Sequence, residues 1–276
     1  MQHHRLAVKF RGVRGSIPTP ARENLGFGGN TSCLEVRSSE GDLLMIDAGS
    51  GARQLGLDVV DEVAGGSLDL HVLFTHFHWD HIQGLPFFAP LAGPGNRVTF
   101  HSARPAEETR SLLAGQMLKP YYPIGFDELS ARREFVETTC QTTRLGNIVV
   151  HPFPLNHPQG ANGYRLEAGG AVIVHASDLE HGDPRLDSIL RDYAQGADVL
   201  IYDAQYSPEE YETRRGWGHS TWLEAARVAR DARVKRLILF HHDPGHDDRT
   251  LESFVDQARR TFENTEAAKE GCVAGA

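Results

Sequence analysis

Leu70-His71-Val72-Leu73-Phe74-Thr75-His76-Phe77-His78-Trp79-Asp80-His81 runs from an apolar stretch straight into a dense set of metal-ligand side chains. The stretch Leu70–Thr75 has the apolar, β-branched character of a buried strand, so the ligand types sit at its carboxyl end. His76, His78, Asp80 and His81 fall within six residues. Such density does not suit a packed core, where each buried polar group must find a partner. The mixture of nitrogen and oxygen donors suits zinc, iron or manganese. Alternate residues of a loop point to one side, so His76, His78 and Asp80 share a face while His81 opens the next element. The spacing therefore allows two adjacent metals.

Outward from this stretch, short apolar runs recur at Ser32–Val36, Leu43–Asp47, Arg97–His101, Asn147–Pro152, Ala171–His175, Val199–Asp203 and Val234–Phe240. Several are continuous, as expected of strands covered on both faces. Helical spacing lies between them. Leu186, Ile189, Leu190 and Tyr193 follow i, i+3, i+4, i+7, and so do Leu251, Phe254, Val255, Ala258 and Phe262. Thr221-Trp222-Leu223-Glu224 has capping-box spacing and opens a helix to about Asp231. The order predicts an α/β fold with two packed sheets inside and helices outside, in one domain over 1–276. Residues 103–129 interrupt the strand pattern and read either as a helical connection with a proline stop or as a lid carrying Tyr121 and Tyr122. The tail beyond Asn264 is expected to extend the last helix or fray.

Composition narrows the function classes. The 276 residues are 40% hydrophobic and 24% charged, which excludes wholesale disorder. No stretch approaches the roughly 18 apolar residues of a membrane helix, and Met1–Arg5 has no apolar signal region. Cys33, Cys140 and Cys272 form no Cys-x-x-Cys pair, which disfavours a disulfide framework or a thiolate zinc site and points to the cytoplasm. A net charge of −9 argues against a stable complex with long nucleic acid. Of the 15 histidines, those at strand ends matter most.

His-x-His-x-Asp-His after a strand resembles the signature of the metallo-β-lactamase superfamily. The similarity continues in order through His157 in Leu155-Asn156-His157-Pro158, Asp178 in His175-Ala176-Ser177-Asp178, and His242 in Phe240-His241-His242-Asp243. The resemblance implies a four-layered αββα sandwich of two mixed sheets. It implies one metal on His76, His78 and His157, a second on Asp80, His81 and His242, and Asp178 between them. His241 competes with His242, because strand alternation lets only one point inward. The resemblance selects His242. Asp47 matches the superfamily's strand-end aspartate and is expected to orient ligands.

Gly218-His219-Ser220-Thr221 after Tyr202-Asp203-Ala204 looks like the Gly-His-Ser-Thr segment of the ribonuclease Z-like phosphodiesterases. That likeness makes His219 a catalytic helper alongside Asp80, with Asp203 fixing its tautomer. Arg14–Pro20 and Gly28–Ser32, with Asn30 and Ser32, resemble N-terminal segments of the same branch. The expected activity is hydrolysis of a small phosphodiester, in particular a cyclic nucleotide or cyclic sugar phosphate. It would use two divalent ions (zinc, with manganese or iron as alternatives) and a hydroxide bridging them. Tyr121, Tyr122 and Phe126 are candidates for a base-stacking wall. The same branch implies a homodimer. Competing readings are a ribonuclease Z-like RNA endonuclease, a lactone or thioester hydrolase, and a mononuclear-iron oxidoreductase of the persulfide dioxygenase type.

Overall fold

The computed structural model describes residues 4–276, so His3 lies outside the described residues. In chain order the elements begin β1 (Leu6–Gly12), β2 (Cys33–Ser38), β3 (Leu43–Ile46), α1 (Ala52–Val63), β4 (Asp69–Leu73) and α2 (Trp79–Ile82). They continue with β5 (Arg97–Ser102), α3 (Ala106–Gly115), β6 (Arg132–Glu137), β7 (Thr143–Leu145), β8 (Ile148–Leu155), β9 (Ala161–Ala168) and β10 (Ala171–Ala176). The chain closes with α4 (Pro184–Ala194), β11 (Val199–Asp203), α5 (Pro208–Tyr211), α6 (Trp222–Asp231), β12 (Arg236–Phe240), α7 (Asp248–Ala258), β13 (Thr265–Ala267) and β14 (Val273–Gly275).

Two seven-stranded mixed sheets form, in the orders β14-β1-β2-β3-β4-β5-β6 and β13-β12-β11-β10-β9-β8-β7. Three buried apolar clusters mark the interfaces of four layers. Val8, Leu34, Ile148 and Ile201 pack between the sheets. Met45, Val72 and Phe100 pack against Leu55, Val59 and Leu113 from α1 and α3. Val174, Leu200 and Leu237 pack against Leu190, Ala225 and Leu251 from α4, α6 and α7. Neighbouring residues such as Leu200 and Ile201 serve opposite faces, and both faces are covered. That is why these strands read as continuous apolar runs rather than alternating ones.

Helix α6 keeps its expected start. Thr221 Oγ1 accepts from Glu224 N at 3.1 Å and opens α6, which ends at Asp231. Asp183 and Asp247 cap α4 and α7 in the same way. Two expectations are corrected. The tail neither extends α7 nor frays: β13 pairs with β12 and β14 with β1, so the last residues add an edge strand to each sheet. Residues 103–129 carry α3, and beyond it Phe126 is buried against Phe100 and Phe135, so Phe126 belongs to the core rather than to a base-stacking wall. Among the described residues no helix is long and apolar enough to cross a membrane.

In the first sheet β3, β4 and β5 run parallel, and in the second β10, β11 and β12 do. β8 is antiparallel to β9, and β9 to β10, so β8 shares the direction of β10. The carboxyl ends of these strands form the rim where open α/β sheets place ligands.

Candidate metal centre

Each ligand-type side chain follows a strand on that rim. Asp47 follows β3, His76 to His81 follow β4, His157 follows β8, Asp178 follows β10, Asp203 ends β11 and His241 follows β12. Asp47, Asp178 and His241 adopt left-handed backbone, with φ of 57°, 62° and 61°. Residues with a Cβ rarely do so, and such strain collects at functional sites. Here the turn swings each side chain back over the strand end.

The structure brings His76, His78 and His157 together, with one donor atom from each lying within 4.8 Å of the others. Asp80, His81 and His241 form a second group on the same criterion. Asp178 lies between them: its Oδ1 is 3.8 Å from His76 Nε2 and 3.3 Å from His241 Nε2, and its Oδ2 is 3.3 Å from His81 Nε2.

His242 is the correction. Its Nε2 donates to Ala268 O at 2.9 Å, and its ring meets Phe27 edge-on at 6.0 Å, on the far side of the chain from the cluster. His241 takes the inward place instead. The left-handed turn at His241 carries its ring to 3.3 Å from Asp80 Oδ2, while His242 joins the backbone ladder to Val13 and Gly15. Gly15 leaves room for it, since a Cβ there would sit 2.3 Å from the His241 ring.

A surrounding shell fixes which ring nitrogen of His81, His157 and His241 faces inward. His81 Nδ1 is 2.7 Å from Asp47 Oδ2, which leaves Nε2 for the centre. Asp47 also accepts from Thr75 N at 2.9 Å and from Ser32 Oγ at 3.3 Å, so Ser32 acts through Asp47. His157 Nδ1 donates to Gly218 O at 2.8 Å, and His241 Nδ1 donates to Gln205 Oε1 at 2.8 Å. Ser16 N donates to Asp80 Oδ2 at 2.7 Å. Asp203, fully buried, accepts four hydrogen bonds: His219 Nδ1 and Asp178 N on Oδ2, and Ser220 N and Gln205 N on Oδ1. His219 stacks on His241 with ring centroids 4.9 Å apart.

Other expected residues fall elsewhere. Asn30 binds Glu270 through its amide and holds the tail, so it does not reach the site. Tyr122 packs on Phe87 and donates to Pro86 O, and Tyr121 is 82% exposed. Neither lines a pocket beside the histidines. From the same segment Arg104, Glu108 and Leu112 do, walling a cavity of about 330 Å³ next to His76 and His78. Gln205 escaped sequence reading, and Ser16 and Gly218 lay in segments read there without these roles, because they act through an amide or backbone groups and carry no ligand signature.

The donor set fits a divalent pair. His76 Nε2 is buried with no hydrogen-bond partner, an arrangement that costs free energy unless something binds it. Burial, with His81 next to it, holds His76 well below the usual histidine range. Burial opposes protonation of His81 and His241 too. The Asp178 and Asp80 carboxylates outweigh it, raising His81 well above the ordinary value and His241 to about 9. Both carboxylates stay well below their usual range despite burial, held there by His81 and His241. The negative potential at the centre therefore favours a cation.

The family model described as the beta-lactamase superfamily domain matches residues 44–242, and the chain belongs to that superfamily. A ribonuclease Z of Methanosarcina acetivorans is 27% identical, over 96% of this chain and 96% of that protein. Among solved structures, the metallo-beta-lactamase fold protein YhfI of Bacillus subtilis superposes with a TM-score of 0.75 at 20% identity, covering 98% of this chain and 99% of that one. A diphosphatase of the PhnP family superposes with a TM-score of 0.71 at 18% identity, covering 99% and 98%. At these identities the two structures speak for the fold alone.

Proposed function

We propose that residues 1–276 form one catalytic unit, a dinuclear-metal phosphodiesterase acting on a small phosphodiester, in particular a cyclic one. The observation that carries the reading is His219, held by Asp203 through Nδ1 and stacked on His241 at the edge of the cluster. With Nδ1 so engaged, Nε2 is the ring nitrogen left to meet a substrate oxygen. Asp203 accepts only, so it selects the tautomer that keeps Nε2 available.

His76, His78 and His157 would hold one divalent ion. Asp80, His81 and His241 would hold the other, with Asp178 reaching both. Bound there, two ions supply acidified water and charge stabilisation on phosphoryl oxygens. Asp47, Gly218 and Gln205 orient the histidines, and Ser16 N keeps Asp80 turned toward them. With a second proton on Nε2, His219 would pass that proton to the departing alkoxide and return to the Nδ1–H form that Asp203 holds. The ribonuclease Z relative supports phosphodiester chemistry. The net charge of −9 supports a compact substrate over a long nucleic acid.

Metal-loaded protein assayed on bis(p-nitrophenyl) phosphate, a 3′,5′-cyclic nucleotide panel and a structured RNA tests the proposal. Cleavage of the diester and of a cyclic nucleotide, reduced by about 10²–10⁴-fold in His219→Ala with metal content unchanged, is the expected result. RNA cleavage alone would replace the small substrate with an RNA. No cleavage of any diester would refute the class.

A further inference from the structure

We propose that the pocket beside His219 is a nucleobase site, with Trp217 as its stacking face and Arg214 as its cation. This deepens the proposed function and rests on it for the position of the phosphate. The pocket has a volume of about 450 Å³ and is walled by Pro158, Tyr206, Arg214, Trp217, His219 and Pro244. That size lies within the roughly 300–1,000 Å³ of small-molecule sites.

Trp217 is 62% exposed, yet its backbone is held in place. It stands between Gly216 and Gly218, whose φ angles of 84° and 85° are left-handed. Glu180 fastens both glycines: its carboxylate accepts from Gly216 N at 2.7 Å and Gly218 N at 2.9 Å, and from Tyr211 OH at 2.9 Å. Gly218 O in turn accepts from His157 Nδ1. The loop presenting Trp217 is therefore tied to a residue of the cluster, and the indole stands two positions before His219. A fixed, open aromatic face costs little ordering when a flat ring lands on it.

Arg214 adds the second element. Its guanidinium lies over the Tyr206 ring at 4.9 Å and pairs with Glu210 Oε1 at 3.4 Å, and the side chain keeps 31% of its surface exposed. An aromatic face with a partly exposed guanidinium is the combination that recognises a base and its sugar-phosphate. The cavity on the opposite flank, by His76 and His78, differs. Its arginine, Arg104, is engaged by Glu108 and Gln159 O, and its ring, Phe77, packs on Phe74. A cyclic nucleotide carries both ester oxygens on one nucleoside, so one pocket on the His219 side accommodates the whole organic part.

Direct binding of adenosine 5′-monophosphate and ribose 5-phosphate to metal-loaded wild type, Trp217→Ala and Trp217→Phe tests this without turnover. Wild type is expected to bind the nucleotide more tightly than the sugar phosphate. Trp217→Ala is expected to weaken nucleotide binding about 5- to 150-fold and leave ribose 5-phosphate unchanged, while Trp217→Phe keeps most of the affinity. Equal weakening of both ligands, no weakening, or a wild type that does not favour the nucleotide would overturn the proposal. A protein that binds the nucleotide through Trp217 but cleaves no diester would refute the proposed function and leave the pocket standing. Diester cleavage without Trp217-dependent binding would do the reverse.

Discussion

The neighbouring histidines after β12 give opposite expectations from one substitution type. His241 has Nε2 at 3.3 Å from both Asp80 Oδ2 and Asp178 Oδ1, and His242 has Nε2 on Ala268 O. His241→Ala removes a donor from the second group and leaves Asp80, His81 and Asp178. Losing a residue that merely orients a ligand costs about 10–100-fold in metal affinity, so losing a donor should weaken the second ion by at least about 100-fold. His242→Ala removes a buried ring and orphans the Ala268 carbonyl. A lost hydrogen bond plus a cavity amounts to about 2–4 kcal/mol. At about 2–4 °C per kcal/mol the melting temperature should fall by roughly 4–16 °C. Metal titration by calorimetry and thermal melting in chelator read the two effects separately. His241→Ala should bind one ion tightly, and His242→Ala should bind two at a lower melting temperature. A His242→Ala protein that loses an ion while His241→Ala retains both would refute the assignment.

Three further outcomes follow from the surrounding residues. Asp203→Asn offers one accepting oxygen where four donors converge, so two N–H groups face an amide NH₂. The melting temperature should fall by about 4–12 °C and hydrolysis should drop at least as far as in His219→Ala; an unchanged melting temperature would contradict this. Gly218→Ala puts a Cβ 2.4 Å from Pro158 Cδ and 2.5 Å from His157 Nδ1, at a left-handed φ. Metal affinity and activity should both fall, and a fully active variant would show that the loop does not hold His157. Burial lowers His101 and His175 to about 4 and His242 to about 3, below their unfolded value. As pH falls below about 6.5 the unfolded chain takes up protons that these folded sites refuse, so stability is lost on acidification, by up to about 1.4 kcal/mol per unit for each. His241, raised to about 9, and His81, also raised, are already protonated in the folded chain, so they oppose this loss only while the unfolded chain takes up its protons around pH 6.5, and the three buried rings outweigh them. Urea midpoints in chelator should fall from pH 7 to pH 5, and a flat profile would contradict the burial argument.

Much of the architecture was legible because strands buried on both faces leave continuous apolar runs. Val199–Asp203 is read from sequence with the bounds found in β11, and Thr221 marks the start of α6. His76, His78, Asp80 and His81 were legible because four ligand types crowd one strand end. The choice between His241 and His242 was not. It turns on a left-handed φ at a histidine, where no glycine announces the turn. β13 and β14 are three residues each, too short to show a period, so the tail read as helix or frayed end. β1 alternates buried and part-exposed residues through Leu6–Gly12, a pattern present in the sequence but not read there as a strand. Tyr121 and Tyr122 attracted a binding role by residue type alone. The exposed aromatic of the pocket beside His219 is Trp217, its loop held by Glu180 from a distant loop.

The most direct test of the central claim is a titration of metal-free protein with a divalent ion while hydrolysis of bis(p-nitrophenyl) phosphate is followed. Two groups of three donors joined by Asp178 predict that activity rises until two equivalents per chain are bound and then levels off. Activity that saturates at one equivalent, or two bound ions without hydrolysis, would contradict it.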